Sequence, residues 1–164
     1  SRKCAGQATR KAAEIGWKPV HYLNSVSNAV GSVLKPAGIE NSIGIISAFY
    51  IKDPTDPQFQ KGKEYDDWLA WMKKYHPSGD LNDNFNVYGY TVAQPLLQVL
   101  QQPGTTPTPA TVMKQAPSLA LDLPMLLPGV KVKTGPDDFF PIEREQLGKF
   151  NGKAWELFDK VYGD

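Results

Sequence analysis

Ile43 to Tyr50 reads IGIISAFY, an apolar run interrupted only by Gly44 and Ser47. Such a short continuous run, bounded by polar residues, is the mark of a strand buried on both faces, as in a parallel sheet. The next stretch, KDPTDP from Lys52 to Pro57, stops the run with closely spaced prolines and reads as a stiff crossover between two bodies. Upstream, WKPVHYLNSVSNAVG (Trp17–Gly31) holds Val20 and Tyr22 in alternation, so Pro19 to Leu23 reads as a short strand. Between these strands a helix is expected from about Ser27 to Lys35, with Val26, Val30, Val33 and Leu34 on one side and Pro36 and Gly38 closing it. Before the first strand, Ala5, Ala8, Ala12 and Ile15 recur at helical spacing, and Gly16 supplies the stop. Helix, strand, helix and strand with short links define an α/β pattern with a parallel sheet.

Downstream the rhythm changes. Tyr65, Trp68, Leu69 and Met72 form a helical stripe up to Tyr75, and a second helix is expected from about Asn84 to Gln101, with Phe85, Tyr88, Val92, Leu96, Leu97 and Leu100 apolar. GTTPTP breaks the chain at Gly104–Pro109, after which Thr108 should cap a third helix that has Pro109 at its first position. DLPMLLPGVKV, from Asp122, offers an extended piece and a turn at Pro128–Gly129. The tail from Thr134 is rich in proline and aromatic residues, with short helical potential around Pro141 to Gln146. Two or three strands are too few for the helices that need covering. The chain therefore reads as a portion of a larger protein whose missing strands are expected upstream.

Composition narrows the chemistry. Hydrophobic residues make up 41% and charged residues 21%, ordinary for a globular protein. A net charge of +1 supplies no basic field for nucleic acid and no polybasic segment for a membrane surface. Cys4 is the single cysteine, which excludes an internal disulfide and a thiolate-rich zinc site. His21 and His76 lie far apart in sequence, so a histidine metal site is not expected, and neither is a cofactor. No G-x-S-x-G elbow, Walker loop or G-x-G-x-x-G follows a strand, so no catalytic residue is assigned and an enzyme is not expected. Asp137 and Asp138, in TGPDDFFP, read as turn-capping aspartates. The Tyr65, Trp68, Trp71, Tyr75 series reads as core by its spacing.

Two places remain for a ligand. Open α/β sheets bind ligands outside the carboxyl ends of their strands. Here those ends are NSVS, after the first strand, and AFY, at the end of the second. The first also opens a helix whose free N–H groups favour an anion such as a carboxylate. Ser27 alone would serve as the cap, leaving Asn24 and Ser25 surplus to structure. Phe49 and Tyr50 would add an aromatic wall with one phenolic hydroxyl. Asn24, Ser25, Ser27, Phe49 and Tyr50 are thus the candidate ligand-binding residues.

Taken in order, the segments AAEIGWKPVHYLNSVS, LKPAGIENSIGIISAFYIKDPTDP, YGYTVAQPLLQVLQQPG, TVMKQAPSL, LLPGVKVKTGPDDFFPIEREQL and FNGKAWELF resemble the C-terminal portion of type I periplasmic binding proteins. The subgroup they are most similar to is the branched-chain amino-acid family of ABC-transporter receptors. The resemblance implies an incomplete Rossmann-like α/β fold from a protein of two lobes that close on a small ligand. Residues 1–48 would be part of the second lobe, 49–127 a hinge crossover and helices returning to the first lobe, and 128–164 a C-terminal crossover. It further implies a periplasmic or extracellular solute-binding component of an ABC importer, with a small-molecule carboxylate as ligand and a membrane permease as partner. The fragment alone would be prone to self-association. A ligand-sensing domain of a receptor or regulator is the alternative, and a piece of a doubly wound α/β enzyme the more remote one.

One departure bears on the ligand. Amino-acid-binding members of that family often carry an acid in the loop matching Leu23 to Val26, where it meets the ligand's ammonium group. This chain has Asn24 and Ser25 there. A buried ammonium needs a counter-charge, so a carboxylate without an amine, such as an aromatic or keto acid, is expected.

Overall fold

Helix α1 (Arg2–Glu14) ends as its sequence requires. Gly16 takes φ +70°, its N–H reaches the Ala13 carbonyl at 3.0 Å, and the Trp17 N–H reaches Ala12 at 2.9 Å. This is the Schellman closure, which needs a residue without a Cβ penalty at positive φ. The computed structural model describes residues 2–101 and 106–163; the expected break at Gly104 and Thr105 lies outside them.

Strand β1 (Tyr22–Leu23) runs parallel to β2 (Ile46–Phe49), with Tyr22 opposite Ile46 and Leu23 opposite Ser47. The link between them is not the single helix expected from Ser27 to Lys35. It consists of a 3₁₀ turn (Ser25–Ser27), a widened π turn (Val30–Leu34), and the short helices α2 (Lys35–Ala37) and α3 (Ile39–Ser42). Two local causes divide it. Ala29 is extended at φ −61°, ψ 121°, which separates the 3₁₀ turn from the π turn. Pro36 cannot donate to the preceding turn and crowds its carbonyl, and here the N–H groups of Leu34 and Lys35 reach five residues back, to Ala29 and Val30. The helix cap also differs from expectation. Asn24, not Ser27, accepts from the Val26 N–H, at 3.0 Å.

The tail departs most from the sequence reading. In place of a helix near Pro141–Gln146, strand β5 (Glu145–Phe150) pairs antiparallel with β2, and β6 (Trp155–Tyr162) pairs antiparallel with β5. The sheet thus has the order β1-β2-β5-β6. The β5–β6 turn is set by Asn151, whose Oδ1 accepts the N–H groups of Lys153 and Ala154 at 2.8 and 2.9 Å, and by Gly152 at φ +98°. Gly148 holds the hairpin against β2: a Cβ there would stand 2.8 Å from the Phe49 ring. Glycine inside a strand often marks such a close approach.

Beyond β2 the chain pairs with a distant segment. The Lys52 N–H donates to the Met125 carbonyl and the Leu127 N–H to the Tyr50 carbonyl, both at 2.9 Å, and Ile51 bridges Leu126. Helix α4 (Lys63–Tyr75) turns Trp68 and Met72 inward, as its stripe requires. Helix α5 (Asn84–Leu100) starts at Asp83, whose carboxylate accepts the Phe85 N–H at 3.0 Å. It buries Val87, Thr91 and Val99 but leaves Leu96 55% and Leu97 51% exposed. Helix α6 (Pro109–Gln115) carries the expected cap, with Thr108 and Thr111 bonding each other's backbone N–H. Strands β3 (Ala120–Leu121) and β4 (Val132–Lys133) form a separate two-stranded ribbon. Asp138 accepts the Phe140 N–H at 3.0 Å, the turn-capping role its sequence suggests. Among the described residues no helix is long and apolar enough to cross a membrane.

Candidate functional site

Parallel strands that end side by side leave their last carbonyls and the following loops facing a common space. At the carboxyl ends of β1 and β2 that space is a cavity of about 200 Å³. Ser25 and Val26 enter it from the 3₁₀ turn after β1, Phe49 and Tyr50 from the end of β2, and Phe85 and Tyr88 from the first turns of α5. Of the candidate residues, the fold therefore brings Ser25, Phe49 and Tyr50 together. Asn24 and Ser27 do not line the cavity. Asn24 is spent on the cap of the turn that presents Ser25, and Ser27 is buried behind it.

A polar hub absent from the sequence reading ties the three walls together. Asn28, only 3% exposed, donates from Nδ2 to the Ser47 hydroxyl at 3.2 Å and accepts at Oδ1 from the Asn84 amide at 3.2 Å. Its backbone carbonyl accepts from the Trp155 indole N–H at 3.1 Å. One side chain and its peptide thus link β2, α5 and β6. Satisfied networks of this kind fix relative positions because each lost bond leaves a buried group without a partner. Trp155 also packs edge-on to Phe49, with ring centroids 5.0 Å apart, which holds that cavity wall from behind. Asn84, which lines the cavity, keeps one open valence: its Oδ1 is buried and has no hydrogen-bond partner among the described residues.

The titratable groups of the cavity are phenols and a carboxyl. Burial raises the Tyr50 hydroxyl above its ordinary pKa, and the nearby Tyr88 and Glu145 push in the same direction, so it stays a protonated donor at neutral pH. Asp53, from KDPTDP, also lines the cavity. Its Oδ1 accepts from the Thr55 N–H at 2.8 Å and from the Thr55 hydroxyl at 2.7 Å. Those bonds favour the carboxylate, yet burial outweighs them and raises the pKa, with Asp56 adding to the rise. A carboxyl whose folded pKa lies above its unfolded one contributes nothing below both values. As pH rises through the window between them the unfolded chain loses its proton first, so stability is lost there and stays lost above. Asp53→Asn keeps the acceptor for Thr55 and is expected to melt at a higher temperature than the parent at pH 7. The gap should close as pH falls below the ordinary aspartate range, about 3.9. Thermal melts across pH test this, and a gap independent of pH would contradict it.

The aspartate and the α5 aromatics escaped the sequence reading for different reasons. KDPTDP reads as a connector, and Phe85 and Tyr88 sit on an apolar stripe that periodicity assigns to sheet packing. A polar pair at a helix start, Asp83-Asn84, directly before an aromatic was the available signal. His21 lies outside the cavity at the other end of the sheet, its carbonyl accepting the Ile46 N–H at 3.0 Å. His76 closes α4 through a backbone bond to Met72 at 2.8 Å.

No protein-family model matches the sequence, and no curated protein matches it. Solved structures do. A possible leucine/isoleucine/valine-binding protein from Rhodopirellula baltica superposes with a TM-score of 0.72 at 15% identity, over 94% of this chain and 39% of that one. A branched-chain amino acid ABC transporter from Thermus thermophilus with bound valine gives 0.71 at 12% identity, over 97% and 43%. An ABC-transporter substrate-binding protein from Aeropyrum pernix gives 0.74 at 15% identity, over 98% and 42%. The α/β fold of the chain is that of the type I periplasmic binding proteins, in incomplete form. The chain spans about two-fifths of the length of these structures.

Proposed function

We propose that this chain is part of the solute-binding component of an ABC importer and that the cavity at the ends of β1 and β2 is one side of its ligand cleft. The observation that carries the reading is the convergence of Ser25, Phe49 and Tyr50 at the carboxyl ends of two parallel strands. The crossover that leaves β2 lies against Met125–Leu127, which supports residues 49–127 as hinge crossover and returning segments, with 128–164 as the C-terminal crossover segment. The hairpin β5–β6 gives part of that last segment a place in the β1–β2 sheet. The ligand is a small carboxylate-bearing molecule, an amino acid or an aromatic or keto acid. No catalytic chemistry is assigned, the protein works in the periplasm or outside the cell, and its partner is a membrane permease. Thermus thermophilus and Thermotoga maritima proteins of this fold are described as bound to valine and as leucine-binding, which is the ground for the ligand size.

In this reading Ser25 and Tyr50 are hydrogen-bonding groups, and Asn24 and Ser27 act by holding the turn that carries Ser25. The test begins with the complete protein and the solute that mass spectrometry finds retained in it. Ser25→Ala and Tyr50→Phe are each expected to weaken that solute by about 1–2 kcal/mol, the scale of one buried hydrogen bond, with folding intact. Titration calorimetry measures it. Unchanged affinity in both variants would remove the cavity from the ligand site.

A further inference from the structure

We propose that Asp53 is the counter-charge for a cationic group of the ligand, so that this cavity takes the amine end of an amino-bearing solute. The inference rests on the cavity being the ligand site. The loop after β1 carries no acid, which taken alone favours a ligand without an amine. The fold supplies an acid from a different element: Asp53 lies four residues beyond the end of β2 and lines the same cavity as Ser25.

Three observations give that carboxylate its role. Among the described residues Asp53 has no ion pair; its neighbour Lys52 directs its ammonium to the Pro124 carbonyl at 2.7 Å. Among the described residues no lysine, arginine or histidine lines the cavity. Arg2, which stacks on Phe85 at 3.5 Å from the ring centroid, is committed to the Asp83 carboxylate at 3.1 Å. Asp53 is thus a partly buried carboxylate without a counter-charge, facing a space walled by aromatic rings. Its burial disfavours ionisation, and Asp56 and Glu145 add negative potential in the region. A cation entering that space relieves the penalty, beside the rings of Phe49, Tyr50 and Tyr88 that line the cavity. A ligand carboxylate in the same place would meet a like charge with no cation to offset it. The ligand's own carboxylate must then point away from Asp53.

Matched solutes decide it. On the complete protein, calorimetry compares L-leucine with 4-methyl-2-oxopentanoate and L-phenylalanine with phenylpyruvate, pairs that share a body and differ in the amine. The amino member of at least one pair is expected to bind at least tenfold more tightly than its keto partner, and Asp53→Asn to erase most of that preference. Equal or tighter binding of the keto acids, no binding of either amino acid, or a preference that survives Asp53→Asn overturns the inference. In those cases a loss of affinity for the solute retained by the complete protein in Ser25→Ala and Tyr50→Phe would leave the cavity reading standing. Val26→Trp separates the two failures: Val26 is 52% exposed on the cavity wall, so the bulk blocks the cavity while the core is spared. Undiminished binding of that retained solute by this variant would show that the site lies elsewhere, and both readings would fall.

Discussion

Trp155→Ala is expected to cost the chain about 3–5 kcal/mol of unfolding free energy, the range for removing a buried large aromatic. Trp155 is 3% exposed. Its ring lies 5.0 Å from Phe49 and 5.3 Å from Phe150, and its indole N–H satisfies the Asn28 carbonyl. Truncation opens a void between β2 and the hairpin, frees the Phe49 ring and leaves a buried carbonyl without a donor. Trp155→Phe retains part of the packing and loses the hydrogen bond, so it should cost less, about 1–3 kcal/mol. Urea unfolding of both variants measures the pair. A loss below about 1 kcal/mol for alanine would mean that the hairpin is not seated on β2. Because the same indole anchors the Asn28 hub and backs a cavity wall, solute affinity should fall with stability in the alanine variant even though Trp155 lines no part of the cavity.

That dependence of the site on the tail explains which parts were legible in the sequence. Local signals carried well: the Gly16 stop, the Thr108–Pro109 start and the α4 stripe all lie within one element, where propensity and capping decide. IGIISAFY was legible as a strand for the same reason, but the strand spans only Ile46–Phe49 and buries one face, through Ser47 and Phe49, rather than both. The hairpin was not, because β5 pairs with β2 across almost a hundred residues and its own residues, EQLGKF, carry neither clean alternation nor β-branched side chains. The signal that could have found it was Asn151-Gly152, set between the apolar stretches of β5 and β6, a strong hairpin marker. At the site, the rule about strand ends pointed to Ser25, Phe49 and Tyr50. It could not reach Asp53, Asn84, Phe85 and Tyr88, which enter from a crossover and from a helix brought there by tertiary packing. The absent acid in the first loop likewise suggested a ligand without an amine, because a linear reading compares one loop at a time whereas charge is balanced across the whole cavity.

The second large effect arises from the exposure of the cavity's aromatic walls. A cleft between two lobes excludes water and completes the ligand's hydrogen bonds only when both sides are present. Here the rings of Phe85 and Tyr88 that line the cavity remain substantially exposed. Farther along α5, Val92, Leu96, Leu97 and Leu100 form an uncovered apolar stripe, larger in extent than scattered surface leucines require and suited to packing on a sheet. If the complete protein is two-lobed, the missing lobe covers that stripe and closes the cavity at once. These 164 residues alone are then expected to bind the complete protein's solute at least about a hundredfold more weakly, a loss of some 2.7 kcal/mol, and to associate with one another through α5. Leu96→Lys together with Leu97→Lys should suppress the association without restoring affinity, since it removes the sticky face and not the deficit in the cleft. Sedimentation and calorimetry on the isolated chain and the complete protein measure both effects. A monomeric chain that binds the solute as tightly as the complete protein would mean that the cavity is already a whole site and that the exposed stripe has no lobe to meet.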